Sequence, residues 1–307
     1  MIFIIEILIH VFNKLNEKQF MLLKKDQLNE IMVKRSITVK PNTSLLEARD
    51  MLFKHKIRRL IVLGEKNKPV GIITEKDIAK AVYTTHGKSI KLIQVKNFMS
   101  QNLVTVKKNA SIYDCAKLMK IKKISSIIVL NQKGALEGLV TKTDLISVFL
   151  TQAAQPLKVS EIMTRKVITV TPSDSVLLVE SLLLNNRITR IVVQRERRPV
   201  GIITQRNFVP AKIPYWIAES ADPKELDWYK KSQQLQELQK NQLSYLLPFK
   251  AVDIMTPNPI TVDVNDDVSV AALLMIRHDI SGLPVLRKSV LVGIITKTDI
   301  VNAIAKH

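Results

Sequence analysis

A chain of 307 residues with 46% hydrophobic and 24% charged side chains has a globular composition, not a disordered one, and is long enough for about two domains. Its formal net charge of +20 favours encounters with polyanions, while a lone cysteine, Cys115, excludes an intrachain disulfide framework and any multi-cysteine metal cluster. No uncharged apolar run approaches the roughly 18 residues of a membrane helix, so a cytoplasmic protein with no membrane partner is expected.

Residues 1–27 read as an N-terminal extension peripheral to function. Met1–Phe12 is apolar but interrupted by Glu6 and His10, and it lacks the basic start and small-residue cleavage site of a signal peptide. From residue 28 onward a pattern begins that occurs four times, over 28–84, 95–152, 158–209 and 251–307. Each unit opens near a methionine (Met32, Met99, Met163, Met255) and ends on a Gly-x-x-Thr strand at Gly71–Thr74, Gly138–Thr141, Gly201–Thr204 or Gly293–Thr296. The Met-to-Thr distances are 42, 42, 41 and 41 residues. Chance does not hold such a spacing four times, and a fixed period signals a repeat architecture.

Within the first unit, Ile37–Val39 reads as a strand and Leu45–His55 as an amphipathic helix. The β-branched run Leu60–Leu63 follows, then the glycine strand, then a closing helix around Asp77–Val82. The second unit repeats this with Val104–Val106 and Ile127–Leu130, the third with Ile168–Val170 and Ile191–Val193, and the fourth with Ile260–Val262 and Leu283–Leu286. Ser44 with Glu47, and Ser111 with Asp114, resemble capping boxes that start the first helix. The order β-α-β-β-α predicts an α/β (α+β) fold. Between the third and fourth units, residues 210–250 form an insertion with a helix expected over Lys224–Leu247.

The units alternate. The first and third share Lys68-Pro69-Val70 and Arg198-Pro199-Val200, and carry Arg59 and Arg190 before the middle strand. The second and fourth share Thr141-Lys142-Thr143-Asp144 and Thr296-Lys297-Thr298-Asp299. The chain therefore divides into two copies of a paired module, as a unit of about 50 residues buries its own sheet poorly.

On these motifs the four units resemble CBS domains, the regulatory repeat of cystathionine β-synthase, arranged as two tandem pairs. The resemblance implies a sensor that binds adenosine ligands in clefts between paired repeats.

The local chemistry fits phosphate. Thr74 with Asp77, Thr141 with Asp144 and Thr296 with Asp299 stand where a strand enters a helix, and a helix N-terminus offers free N–H groups and partial positive charge to an anion. The resemblance gives the threonine to the phosphate and the aspartate to the ribose hydroxyls; the same pair also reads as a plain capping box. In the third unit Thr204 is followed by Asn207, which keeps the cap and loses the carboxylate. Arg59 and Arg190 suit a phosphate bidentately, with Arg58, Lys122 and Lys123 close by. Ser126 and Gly282 stand at the matching positions, so each pair is expected to draw its phosphate charge from its odd member.

Catalysis finds no support: there is no nucleophile elbow, Walker loop or His-Glu-x-x-His. Cys115 reads as a small core hydrophobe, and His55 and His278 as helix-end residues. The expectation is a non-enzymatic regulator that needs no cofactor and takes AMP, ADP or ATP as its ligand, with S-adenosylmethionine less favoured. A homodimer, or a protein partner docking on Lys224–Leu247, is compatible with the sequence. Residues 1–155 hold 27 basic and 12 acidic side chains, so a nucleic-acid-associated protein is an alternative, though not the favoured one. A structural repeat with degenerate sites is another.

Overall fold

The computed structural model describes residues 28, 31–34, 36–55, 57–84, 90–152, 157–204, 207 and 249–306. The N-terminal extension to residue 27 and the expected helix Lys224–Leu247 lie outside them.

The described parts of the four units fold alike. The first contains β1 (Thr38–Val39), α1 (Leu45–Lys54), β2 (Arg59–Leu63), β3 (Pro69–Thr74) and α2 (Glu75–Thr84). The second contains β4 (Thr105–Lys107), α3 (Ile112–Ile121), β5 (Ser126–Leu130), β6 (Leu136–Thr141) and α4 (Lys142–Gln152). The third opens on α5 (Val159–Ile162) and continues with β7 (Thr169–Val170), α6 (Val176–Asn185), β8 (Arg190–Arg195) and β9 (Arg198–Thr204). The fourth runs through α7 (Ala251–Ile254), β10 (Thr256–Pro257), β11 (Val262–Asp263), α8 (Val268–Arg277), β12 (Gly282–Arg287), β13 (Val290–Thr296) and α9 (Lys297–Ile304). The fold class is the expected mixed α/β one. In the fourth unit the first strand starts two residues later than the pattern suggests, since Val262, not Ile260, pairs with Val285.

Helix starts follow local chemistry. Ser44 Oγ accepts from Glu47 N at 3.1 Å and Ser111 Oγ from Asp114 N at 3.0 Å, each satisfying one orphan donor of the first turn. His55 and His278 are C-caps, as their positions suggest. In every sheet the first strand runs parallel to the second and the second antiparallel to the third. This register places Arg59 opposite Thr74, Ser126 opposite Thr141, Arg190 opposite Thr204 and Gly282 opposite Thr296.

The segment that opens each unit packs on the other member of its pair. Val33 bridges to Leu139 of the second unit, and Ser100 to Ile72 of the first. Thr164 bridges to Ile294 of the fourth, and β10 pairs with β9 of the third. The opening methionines then sit on the strand glycines: Met99 on Gly71, Met32 on Gly138, Met255 on Gly201 and Met163 on Gly293. A Cβ on Gly138 would meet Met32 Sδ at 3.0 Å, and one on Gly293 would meet Met163 Sδ at 2.6 Å. The constant Met-to-Thr spacing thus reflects two contacts exchanged within each pair. It is not a contact inside one unit.

Burial follows the exchange. The core of the first unit includes Ile90, just ahead of the second unit, and Val95 from its start, and that of the third includes Ala251 from the start of the fourth. The second and fourth units share one continuous core, with Met119, Cys115, Leu145 and Ile146 joining Ala272, Met275, Ile300 and Val301. That common core welds the two modules together. Cys115 is fully buried in it, as expected, and burial, followed by the charge of Asp114, pushes its thiol up to about 12. No helix among the described residues is long and apolar enough to cross a membrane.

Gly201→Ala should lower unfolding stability in urea by about 1–3 kcal/mol, because the new methyl overlaps the Met255 side chain in a filled interface. A variant as stable as the parent would show that Met255 does not depend on this seat.

Candidate functional site

All four strand-to-helix junctions adopt one geometry. Thr74 donates from N and Oγ1 to Asp77 Oδ2 at 2.8 and 2.6 Å. Thr141 does the same to Asp144 Oδ2 at 2.7 and 2.8 Å, and Thr296 to Asp299 Oδ2 at 2.7 and 2.6 Å. Each aspartate therefore commits one oxygen to capping its helix. The capping reading of the motif is realised at the three aspartate junctions, and the second oxygen, Oδ1, is what is left for other partners. Asp299 Oδ1 accepts a long bond from Thr164 Oγ1 at 3.4 Å.

The third junction differs in chemistry. Asn207 Oδ1 takes the aspartate's place, accepting from Thr204 N and Oγ1 at 2.8 Å each. Its amide then donates to Ile254 O at 2.8 Å, on the opening segment of the fourth unit. A carboxylate has no proton for that carbonyl. Asn207 is thus more than a weakened aspartate, because it ties the exchanged segment to the junction.

Arg59 and Arg190 are the first residues of β2 and β8, and both line a central cavity of about 2190 Å³ whose wall is drawn from all four units. Each has a buried Nη1 with no hydrogen-bond partner among the described residues. Arg190 donates from Nη2 to Ser281 Oγ at 2.8 Å, and its guanidinium fills the space that a side chain at Gly282 would take. Burial, and then the nearby charge of Arg58, brings Arg59 down to about 10 against the pull of Asp144. The same two causes bring Arg190 to about 10 against the pull of Asp299. Arg58 itself is anchored across the modules, its Nη2 donating to Asp279 O at 2.9 Å and lying 3.5 Å from Asp279 Oδ2.

Two further cations were not evident as site residues in the sequence. Lys142 and Lys297 open α4 and α9, line the cavity, and are both lowered chiefly by burial. Asp144 is raised by burial, opposed by its bonds to Thr141 and by the charges of Arg59 and Lys297. The cavity wall thus takes cations from the even units as well as from the odd ones. The Thr-Lys-Thr-Asp motif shared by the second and fourth units carried the signal, as a lysine at the first turn of a helix opposes the macrodipole and needs a reason to be there.

Of the other sequence candidates, Thr74, Thr141 and Thr204 reach the cavity wall, whereas Thr296 and the three aspartates do not. Lys123 lines the wall and Lys122 does not. Together with the exposed Lys76 and Lys120, cationic side chains outnumber acidic ones on the wall by eight to three. Such a surface suits an anion with several charges.

The chain resembles the uncharacterized protein MJ1225 of Methanocaldococcus jannaschii, at 27% identity over 288 residues, which is 89% of this chain and 96% of that protein. A second protein of the same organism, MJ1404, is 27% identical over 289 residues, covering 92% of this chain and 63% of the relative. The crystal structure of MJ1225 superposes with a TM-score of 0.72 and 26% identity, spanning 89% of this chain and 98% of that one; its authors describe it as a candidate archaeal homologue of γ-AMPK. An uncharacterized conserved protein of Pyrococcus horikoshii shares the fold at a TM-score of 0.60 and 19% identity, over 90% of this chain and 98% of that one. The CBS domain family matches residues 28–84, 95–151, 159–212 and 251–306. With four such segments making up most of its length, this chain belongs to the CBS-domain family.

Proposed function

We propose that the protein is a non-catalytic regulatory sensor that binds adenosine nucleotides (AMP, ADP or ATP) between paired repeats and signals by a change in how the repeats are arranged. The observation that carries this reading is the pair of buried guanidinium nitrogens, Arg59 Nη1 and Arg190 Nη1, left without partners at a strongly cationic cavity. A buried donor without an acceptor costs about 1–3 kcal/mol, and more when charged. A phosphate oxygen supplies both the acceptor and the counter-charge. The description of the similar protein MJ1225 as a candidate γ-AMPK homologue points the same way.

In this reading the phosphate lies against Arg59 or Arg190 beside a junction threonine of the cavity wall, and Oδ1 of Asp77 or Asp144, set back from that wall, serves the ribose, while Asp299 Oδ1 is already shared with Thr164. The Asn207 junction is the poorest of the four, since its amide is committed to Ile254 O. Signalling follows from linkage: a ligand held by residues of two units shifts the equilibrium only by its differential affinity for the two arrangements.

A thermal-shift panel of AMP, ADP, ATP, S-adenosylmethionine and GTP tests the class of ligand. At about 100 times its dissociation constant a ligand adds about 2.7 kcal/mol, a melting shift of about 5–10 °C. An absence of any shift with every adenosine compound would sink the sensor reading. Asp77→Ala, Asp144→Ala and Asp299→Ala should each weaken nucleotide binding while the protein stays folded; unfolding by all three with no change in binding would make the aspartates caps alone.

Arg59→Met provides a sharper test, because function and stability should move in opposite directions. Burial and Arg58 outweigh Asp144 at this guanidinium, so its charged form costs the unliganded fold. Replacing it with an apolar side chain should raise unliganded stability by about 1–3 kcal/mol and remove most of the nucleotide-induced shift. A less stable unliganded variant with a normal ligand shift would assign Arg59 to the fold instead.

A further inference from the structure

The hairpins β8–β9 and β12–β13 close on two-residue turns, Glu196-Arg197 and Lys288-Ser289, framed by the strand pairs Arg195 with Arg198 and Arg287 with Val290. All four turn residues are left-handed, with φ of 50° and 61° in the first turn and 49° and 66° in the second. A turn with two left-handed residues is normally built from Asn-Gly or Asp-Gly, because other side chains crowd the backbone there. Three of the four places here hold long charged side chains, so something other than the turn selects them.

The two tips form one edge of the second module. Leu291 N donates to Arg197 O at 2.8 Å, which lays the fourth-unit hairpin against the third. Arg195, Arg197, Arg198, Arg287 and Lys288 are all exposed there, and Glu196 is the one acidic residue of the two tips. None of the five cations forms an ion pair among the described residues, and none lines the central cavity. A separate small cavity of about 360 Å³ opens beside them, walled by Thr171, Ser173, Gln194, Arg195, Glu196 and Arg197 among others. The hydroxyls of Thr171 and Ser173 lie 3.1 Å apart on this wall. Asp174 is not on it, and its Oδ2 is committed to Thr171 N at 2.6 Å. Hydroxyls beside guanidinium groups suit a single carboxylate.

Charge complementarity asks for an anion, and the layout selects its kind. A continuous polyanion such as duplex nucleic acid would run its phosphates over the Glu196 carboxylate between the arginines, and neither tip carries an aromatic side chain on which a base could stack. An extended peptide with carboxylates at intervals avoids that clash. It sets one carboxylate in the small cavity and the next against Arg287 and Lys288 on the neighbouring tip. We propose that this edge is a docking surface for an acidic, extended segment of a partner protein, separate from the central cavity.

The test uses the full chain and a fluorescent peptide of about twelve residues alternating glutamate and serine, read by anisotropy near physiological salt, with a DNA duplex of about 20 base pairs as the competing class. Arg195→Glu combined with Arg197→Glu should weaken peptide binding by about 10-fold or more. Lys108→Glu combined with Lys117→Glu, at exposed lysines of the first module, makes the same change in net charge and should weaken it by less than about twofold. Arg197→Gly puts glycine where φ is 61°, so this variant should melt no lower than the parent while binding the peptide about threefold more weakly. It also decides the matter if the double reversal fails to fold.

Failure of the parent to bind the peptide would overturn the proposal. So would equal losses in the edge and control variants, or an Arg197→Gly variant that binds as the parent does. Binding of the duplex that depends on the edge arginines and exceeds that of the peptide would give the edge to nucleic acid and overturn the proposal as well.

Discussion

Everything in this molecule depends on four methionines seated on glycines that belong to another repeat. The seat requires a residue without a Cβ, since any larger side chain collides with the methionine, and it requires the opening segment of each repeat to leave its own sheet. A single repeat is then incomplete in two ways: its strand glycine faces nothing, and its opening segment covers nothing. Pairing repairs both at once. Two opening segments are exchanged within each pair, and buried residues such as Met32 and Met163 become part of a neighbour's core.

The pairs meet under a different constraint. The second and fourth repeats merge their apolar cores, which fixes the two modules side by side. The register of every sheet sets the first residue of the middle strand opposite the junction threonine, so the merger gathers Arg59, Arg190, Lys142 and Lys297 around one space. Hydrophobic association thereby forces together charges that repel, and the displaced ionisation of Arg59, Arg190, Lys142 and Lys297, all shifted chiefly by burial, records that conflict. Local conflicts of this kind in an otherwise consistent fold mark where function is located.

Much of this was legible in the sequence. The repeat period, the alternation of the units, the helix caps at Ser44 and Ser111 and the core position of Cys115 all depend on local patterns, and local patterns survive in one dimension. Arg59 and Arg190 were visible because they recur at one register. Lys142 and Lys297 stand out in the sequence only as part of a repeated motif, since a lysine in a polar tetrapeptide looks like solvated surface until a second module covers it. Asn207 looked like a lost carboxylate, because its second bond runs to Ile254, 47 residues away.

The sequence by itself therefore determined the unit and its arithmetic: four β-α-β-β-α repeats, grouped two and two, each with a junction built to cap a helix. Periodicity, capping and strand register act over a few residues, so a linear reading reaches them. Only the tertiary structure decided which glycine receives which methionine, and that the +20 surplus has a buried component shared between modules. Those are contacts between segments 28 to 156 residues apart, and burial, which turns an ordinary lysine into a penalised charge, exists only after the segments have met.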